Sequence, residues 1–126
     1  MENEITINGT IYVPKDSVKN VHPVMNTEGL KVVLIRSYAA GVHYGYLKSE
    51  EFTSSGKVVT LVNTRRIWYW DGAASLSQMA LSGVTKPENC KFSVAIAENE
   101  IVNVIETIPL TYNALHNLNN VASWVK

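Results

Sequence analysis

The sequence predicts an α+β domain, mainly antiparallel β-sheet or a small barrel of six to seven strands, with one central short helix and a C-terminal helix. Six or seven segments have the composition or the alternation of strands, and the spacing of apolar residues becomes helical in only two segments. The connections between these runs are short, which favours antiparallel neighbours because parallel pairs need long crossovers. Residues 1–126 are expected to form a single domain with a packed core, because 46% of them are apolar and only 17% are charged.

The first 56 residues predict four strands. Ile5–Val13 alternates around Asn8-Gly9, which indicates a β-hairpin. Two further strands are expected at Lys31–Tyr38 and Val42–Lys48, joined by a turn of small residues, and Ser49–Gly56 is expected to be a polar loop.

Lys57–Trp70 is the longest strand-like run, and a bulge or bend is expected near Asn63-Thr64 because few strands are this long. A short helix follows, for which Ser75 and Gln78 have capping-box spacing and Gly83 stands where a C′ glycine would end it. Its apolar face is expected to contain Leu76, Met79, Ala80 and Val84.

The last part of the chain predicts two strands and a helix. The strands are Lys91–Ala97 and Glu100–Pro109, joined through Glu98-Asn99. Thr111 can cap the final helix. The apolar positions of that helix are Leu115, Leu118 and Val121 or Ala122.

Composition excludes several classes of protein. Eleven basic residues balance eleven acidic ones, which argues against binding of long nucleic acid. The single cysteine, Cys90, cannot form an internal disulfide, and the N-terminus shows no signal peptide. No apolar run is long enough to cross a bilayer. The chain is therefore expected in the cytoplasm, without a membrane partner.

No catalytic signature is present, and the histidines His22, His43 and His116 are separated from one another and from Cys90. We expect a protein that is not an enzyme, with no catalytic residues, no metal site and no cofactor.

The segment Arg65–Gly72 carries the most chemical information. In an extended strand, Arg66, Trp68 and Trp70 project to one face, while Arg65 and Ile67 project to the other. A guanidinium beside indoles can hold a phosphate and stack a base. The alternative is that the indoles pack in the core and the arginines are solvated.

A second candidate segment contains Arg36, Tyr38, His43 and Tyr44, which supply a further cation and further rings. Ser75 begins the central helix, where free amides can bind an anion. The alternatives are a hairpin whose tyrosines cover the sheet, and ordinary helix capping by Ser75.

The segments R-S-Y-A-A-G-V-H at Arg36–His43 and R-R-I-W-Y-W-D-G-A followed by S-L-S-Q at Arg65–Gln78 resemble a family of small β-rich proteins encoded by bacteriophages and prophages. Gly83-Val84, Lys86–Phe92 and Glu106–Pro109 extend the resemblance, which covers about Leu30 to Leu110. Most family members have no assigned function, and the resemblance implies no catalytic residue.

A phage origin suggests an anti-defence role, by analogy with oligomeric sponges that sequester nucleotide signals. We therefore expect a homo-oligomer that binds a cyclic or ADP-ribose-type nucleotide immune signal without cleaving it, in the host cytoplasm. The expected ligand-binding residues are Arg36, Tyr38, His43, Tyr44, Arg65, Arg66, Trp68, Trp70 and Ser75. The alternative is a protein-binding module that inhibits a host protein or assists phage assembly, because Trp, Tyr and Arg also dominate protein interfaces.

Overall fold

A computed structural model of the chain describes residues 24–125. Its elements in chain order are β1 (Val32–Ser37), β2 (Gly41–Thr53), β3 (Gly56–Tyr69), α1 (Leu76–Ser82), β4 (Lys91–Phe92), β5 (Ile96–Pro109) and α2 (Tyr112–Asn119). The α+β class is confirmed, with five strands in the described part of the chain instead of six or seven. The hairpin expected at Ile5–Val13 lies outside the described residues.

Four of the strands form a closed ring. β1 pairs with β2 and β5, and β3 also pairs with β2 and β5, in each case antiparallel. The short β4 continues the sheet beyond β3. This arrangement agrees with the small barrel that the sequence predicts.

β1 is buried on both faces, and it therefore separates two apolar cores. Val33 and Ile35 belong to the core inside the ring, and Val32 and Leu34 belong to a core between the ring and the helices. The inner core is completed by Val59, Leu61, Ile101 and Val104, and the helix-side core by residues that include Met79, Ala80, Phe92, Ala114, Leu115 and Leu118. Full burial of a valine, leucine, isoleucine, methionine or phenylalanine side chain in these cores stabilises the fold by about 1.5 to 3 kcal/mol.

The bulge expected in β3 is present. The register between β2 and β3 shifts between the pairs Tyr44↔Arg65 and Tyr46↔Val62, and Asn63 adopts a left-handed conformation with φ 49°. Gly45 lies opposite, where a Cβ atom would stand 2.7 Å from the Cβ of Thr64. A glycine is therefore needed for this close approach.

Three expected strand boundaries are wrong. β2 continues through the region expected to be a loop and ends at Thr53, because residues 49–53 pair with the start of β3. β5 runs unbroken from Ile96, since Glu98 and Asn99 pair with β3. The strand expected at Lys91–Ala97 shrinks to the two residues of β4.

Both helices begin at the expected caps. The Ser75 hydroxyl accepts from the Gln78 amide, and the Thr111 hydroxyl accepts from the Ala114 amide. Gly83 ends α1 with φ 80°, and its amide donates to the Met79 carbonyl. α2 ends at Asn119, earlier than the apolar spacing predicts, and the chain then turns so that Trp124 donates its amide to the Phe92 carbonyl.

Candidate functional site

The adjacent arginines of β3 lie on opposite faces of the sheet. Tyr44 pairs with Arg65 and His43 pairs with Arg66 across the β2–β3 ladder. Directly opposed residues share a face, so Arg65 lies on the side of the helices with Tyr44. Arg66 lies on the other side with His43.

Arg65 is buried, with a relative exposure of 7%. Its Nε donates to the Ser93 carbonyl at 2.9 Å, and its Nη1 and Nη2 donate to the Leu118 and Val121 carbonyls at 3.1 and 2.9 Å. Leu118 lies in the last turn of α2 and Val121 follows the helix, and a cation is favoured at this C-terminal end. Arg65 therefore fastens the end of α2 to the sheet.

Tyr44 is part of the same buried network. Its hydroxyl donates to Asn119 Oδ1 at 2.8 Å and lies 3.4 Å from Arg65 Nη1. Burial raises the pKa of the Tyr44 hydroxyl, and the neighbouring Arg65 opposes that rise. The ring packs edge-on against Phe92 in the helix-side core, so it is not exposed for stacking on a ligand.

Arg66 stacks on an exposed indole. Its guanidinium carbon lies 4.7 Å from the centre of the Trp68 ring, and Trp68 is 56% exposed. Such a cation–π pair presents a positive charge and an aromatic surface together. Among residues 24–125, no carboxylate forms a salt bridge with Arg66.

His43 is buried beside this pair. Its Nε2 lies 2.9 Å from the Ala40 carbonyl oxygen, which can only accept, so Nε2 carries the proton. Nε2 therefore cannot also accept from Arg66 Nε, 3.4 Å away. Burial lowers the pKa of His43, the Ala40 hydrogen bond opposes that shift, and the Arg66 charge adds to it. His43 is thus a neutral neighbour of the Arg66–Trp68 pair.

The structure separates the two tryptophans expected on one face. Trp70 is partly buried against the helix-side core, whereas Trp68 is exposed. The register between β3 and β4 shifts between Ile67 and Tyr69. This bulge interrupts the alternation on which the expectation depended.

The other expected residues lie away from this pair. Arg36 forms an exposed salt bridge with Glu106, and Tyr38 is 84% exposed in the turn between β1 and β2. The Ser75 hydroxyl is occupied by its capping hydrogen bond. The structure thus brings Arg66, Trp68 and His43 together, and Arg65 and Tyr44 together, but it does not unite the nine residues in one site.

Sequence reasoning missed three further cation–π pairs, of which Lys91–Trp124 is one, and a cavity. The Lys91 ammonium lies 5.1 Å from the centre of the Trp124 ring. A cavity of about 280 Å³ opens beside the end of α2, and its walls are formed by Asn63, Arg65, Ala95, Asn119, Val121 and Ser123. The Lys91–Trp124 pair and the cavity both depend on the chain after α2 returning to β4, where Ser123 bridges Phe92. No local pattern in the sequence signals that return.

Residues 24–125 contain neither a candidate metal cluster nor a helix that could span a membrane. No three or more His, Cys, Asp or Glu side chains between residues 24 and 125 cluster in a way that could hold a metal ion. Neither of the two helices found there is long and apolar enough to span a membrane.

Comparison with known proteins gives one match. No curated protein and no solved structure matches the chain significantly. A family model described as Domain of unknown function (DUF6948) matches residues 30–118, which is more than half of the chain. That segment begins just before β1, ends within α2, and includes Arg65, Arg66 and the whole inner core, whereas Val121 of the helix-side core lies beyond it. The chain therefore belongs to the DUF6948 family.

Proposed function

We propose that this protein binds a small anionic ligand of the nucleotide class at the Arg66–Trp68 pair and does not transform it. The observation that carries the proposal is the Arg66 guanidinium, 4.7 Å from an indole that is 56% exposed. A nucleotide offers both a phosphate for the cation and a base for the ring.

The donors of Arg66 support this choice. Arginine has five N–H donors, and the side chain of Arg66 has no carboxylate or carbonyl acceptor among the described residues. Its closest polar neighbour, His43 Nε2, is itself a donor. An incoming phosphate would therefore find unused donors.

The other two arginines of the expected site, Arg36 and Arg65, are less suitable for binding a phosphate. Arg65 already donates to three backbone carbonyls in the interior, and Arg36 is neutralised by Glu106. A phosphate would have to displace these partners, whereas it would only have to displace water from Arg66.

The proposal includes the finer expectations from the sequence. The ligand would be a cyclic or ADP-ribose-type immune signal, held intact in the host cytoplasm by a phage anti-defence protein. One exposed indole covers only a small part of such a ligand. We therefore expect a homo-oligomer in which a second protomer covers the opposite side of the ligand.

Calorimetric titration with cyclic dinucleotides and cyclic ADP-ribose isomers tests the proposal. Arg66→Met and Trp68→Ala should each weaken binding at least tenfold. Arg36→Met removes the same charge elsewhere, and Tyr112→Ala removes another exposed ring, 67% exposed on α2; both should bind like the wild type. Equal losses in these controls, or no binding of any probe, would contradict the proposed site. Recovery of a cleaved ligand would contradict binding without turnover.

A second candidate function is that of a protein-binding module, which inhibits a host protein or assists phage assembly. The observation that favours it is the exposure of Tyr69, Trp124 and Val125, at 53%, 46% and 66%, since exposed aromatic residues dominate protein interfaces. Mass spectrometry of the heated, purified protein separates the two candidates. A released nucleotide supports the sponge, and a co-purifying polypeptide lost in Trp124→Ala supports the module.

A further inference from the structure

We infer that the cavity beside Arg65 is a second binding site, which takes phosphate or a small phosphate monoester. The cavity lies by the end of α2, on the face of β3 opposite to Arg66, so the inference goes beyond the proposed function. Three features support phosphate binding there: hydrogen-bond donors in the cavity walls that have no partner among the described residues, the charge of Arg65, which has no carboxylate partner among them, and the size of the cavity.

The walls carry donors that the protein does not use. Arg65 makes four hydrogen bonds, one from Nε, two from Nη1 and one from Nη2, so one Nη2 N–H has no acceptor among the described residues. Asn119 accepts from Tyr44 through Oδ1, and its amide nitrogen donates to no other described residue. Asn63 and Ser123 also line the space, and their side chains make no hydrogen bond within residues 24–125.

The charge in the cavity is positive. Arg65 is 7% exposed, and its partners in the described part of the chain are three carbonyls, a phenol and the Phe92 ring, whose centre lies 5.1 Å from the guanidinium carbon, and all of them are uncharged. None of the six lining residues is acidic. A buried cation without a counter-ion favours binding of an anion, although the end of α2 offsets part of its charge.

The arrangement of the donors selects the class of anion. The planar fork of Arg65 is occupied by Leu118 and Val121, so it cannot hold a carboxylate in the usual bidentate way. The remaining donors come from β3 (Asn63 and the second Nη2 N–H of Arg65), from α2 (Asn119) and from the chain after α2 (Ser123). Separate donors from several walls suit a tetrahedral oxyanion with its several oxygens.

The volume limits the size of the ligand. A cavity of about 280 Å³ lies just below the range of about 300 to 1,000 Å³ that is typical of ligand pockets. A phosphate with a small substituent fits within this volume.

Titration of the full-length, ¹⁵N-labelled protein with inorganic phosphate tests the inference by nuclear magnetic resonance, with chloride at matched ionic strength as the reference. The side-chain signals of Arg65, Asn63 and Asn119 should shift and saturate with phosphate but not with chloride. Absence of a saturable shift at tens of millimolar phosphate would overturn the inference.

A charge-reversing variant locates the site. Asn119→Asp keeps the oxygen that accepts from Tyr44, removes the amide donor and gives Arg65 an internal counter-ion, so phosphate should bind at least tenfold more weakly. Asn113→Asp makes the same change at an exposed position of the same helix and should bind phosphate like the wild type. Asn63→Asp tests the opposite wall if the first variant does not fold, because aspartate tolerates the left-handed backbone there.

The phosphate-binding experiment can fail while the nucleotide-binding experiment succeeds, and the reverse, because the two sites use different residues. Arg66→Met should leave phosphate binding at the cavity unchanged, and Asn119→Asp should leave nucleotide binding at Trp68 unchanged. Wild-type phosphate affinity in Asn119→Asp, or loss of phosphate binding in Arg66→Met, would refute the cavity as the site.

Discussion

Replacing Arg65 and Arg66 by methionine, one at a time, compares two adjacent side chains of the same type on opposite faces of β3. Methionine keeps an unbranched apolar stem and removes the charge and all donors. We expect Arg65→Met to destabilise the fold strongly, and Arg66→Met to leave it nearly unchanged while it weakens nucleotide binding.

The magnitudes follow from the contacts. Arg65→Met removes the donor from three carbonyls, those of Ser93, Leu118 and Val121. Leaving a buried acceptor without its donor costs about 1 to 3 kcal/mol, so the three carbonyls together give a loss of about 3 to 9 kcal/mol. A domain of this size has about 5 to 15 kcal/mol in total. Arg66→Met loses only the cation–π contact with Trp68, about 0.5 to 1 kcal/mol.

Urea unfolding followed by circular dichroism measures both values. The midpoint should fall far more for Arg65→Met than for Arg66→Met, with the slope of the transition unchanged. Equal destabilisation by the two variants would refute the assignment of Arg65 to the fold and Arg66 to the surface. A fully stable Arg65→Met protein would refute it as well.

Two further predictions concern stability. Burial holds the pKa of His43 below its ordinary value of 6.5, so the unfolded chain takes up the proton first as pH falls through that value. The free energy of unfolding, measured by urea titration, should therefore be lower at about pH 5.5 than at about pH 7.5. This difference should shrink in His43→Gln but persist in His116→Gln. An unchanged difference in His43→Gln would contradict the assignment of the pH dependence to His43. Gly83→Ala should cost about 2 kcal/mol or more in the same assay, because φ is 80° there and a Cβ would overlap the Asn117 side chain. Wild-type stability of Gly83→Ala would show that the end of α1 can rearrange.

Several local features of the fold follow from residues close in sequence. Ser75, Thr111 and Gly83 act as the caps that their spacing predicts, because capping depends on a few neighbouring residues. The bulge at Asn63 was predictable from the length of the run, since so long a strand must bend. The boundaries of β2 and β5 were not predictable, because pairing with β3 extends polar segments as strand.

The candidate site was predictable in chemistry but not in geometry. The composition of Arg65–Trp70 singles out the segment, and alternation along a strand places Arg65 and Arg66 on opposite faces. Alternation does not reveal which face meets the helices. That depends on the chain after α2, whose carbonyl at Val121 reaches Arg65, and on the bulge near Tyr69 that turns Trp70 inwards.

Residue order alone establishes the α+β class, the caps and the choice of the arginine–tryptophan segment, because each of these depends on neighbours along the chain. Contacts between residues more than fifty positions apart bury Arg65, leave Arg66 on the opposite face, and form the cavity between β3 and the end of α2. Such contacts are determined by how the apolar faces of the ring and the helices pack, and no short pattern encodes that packing.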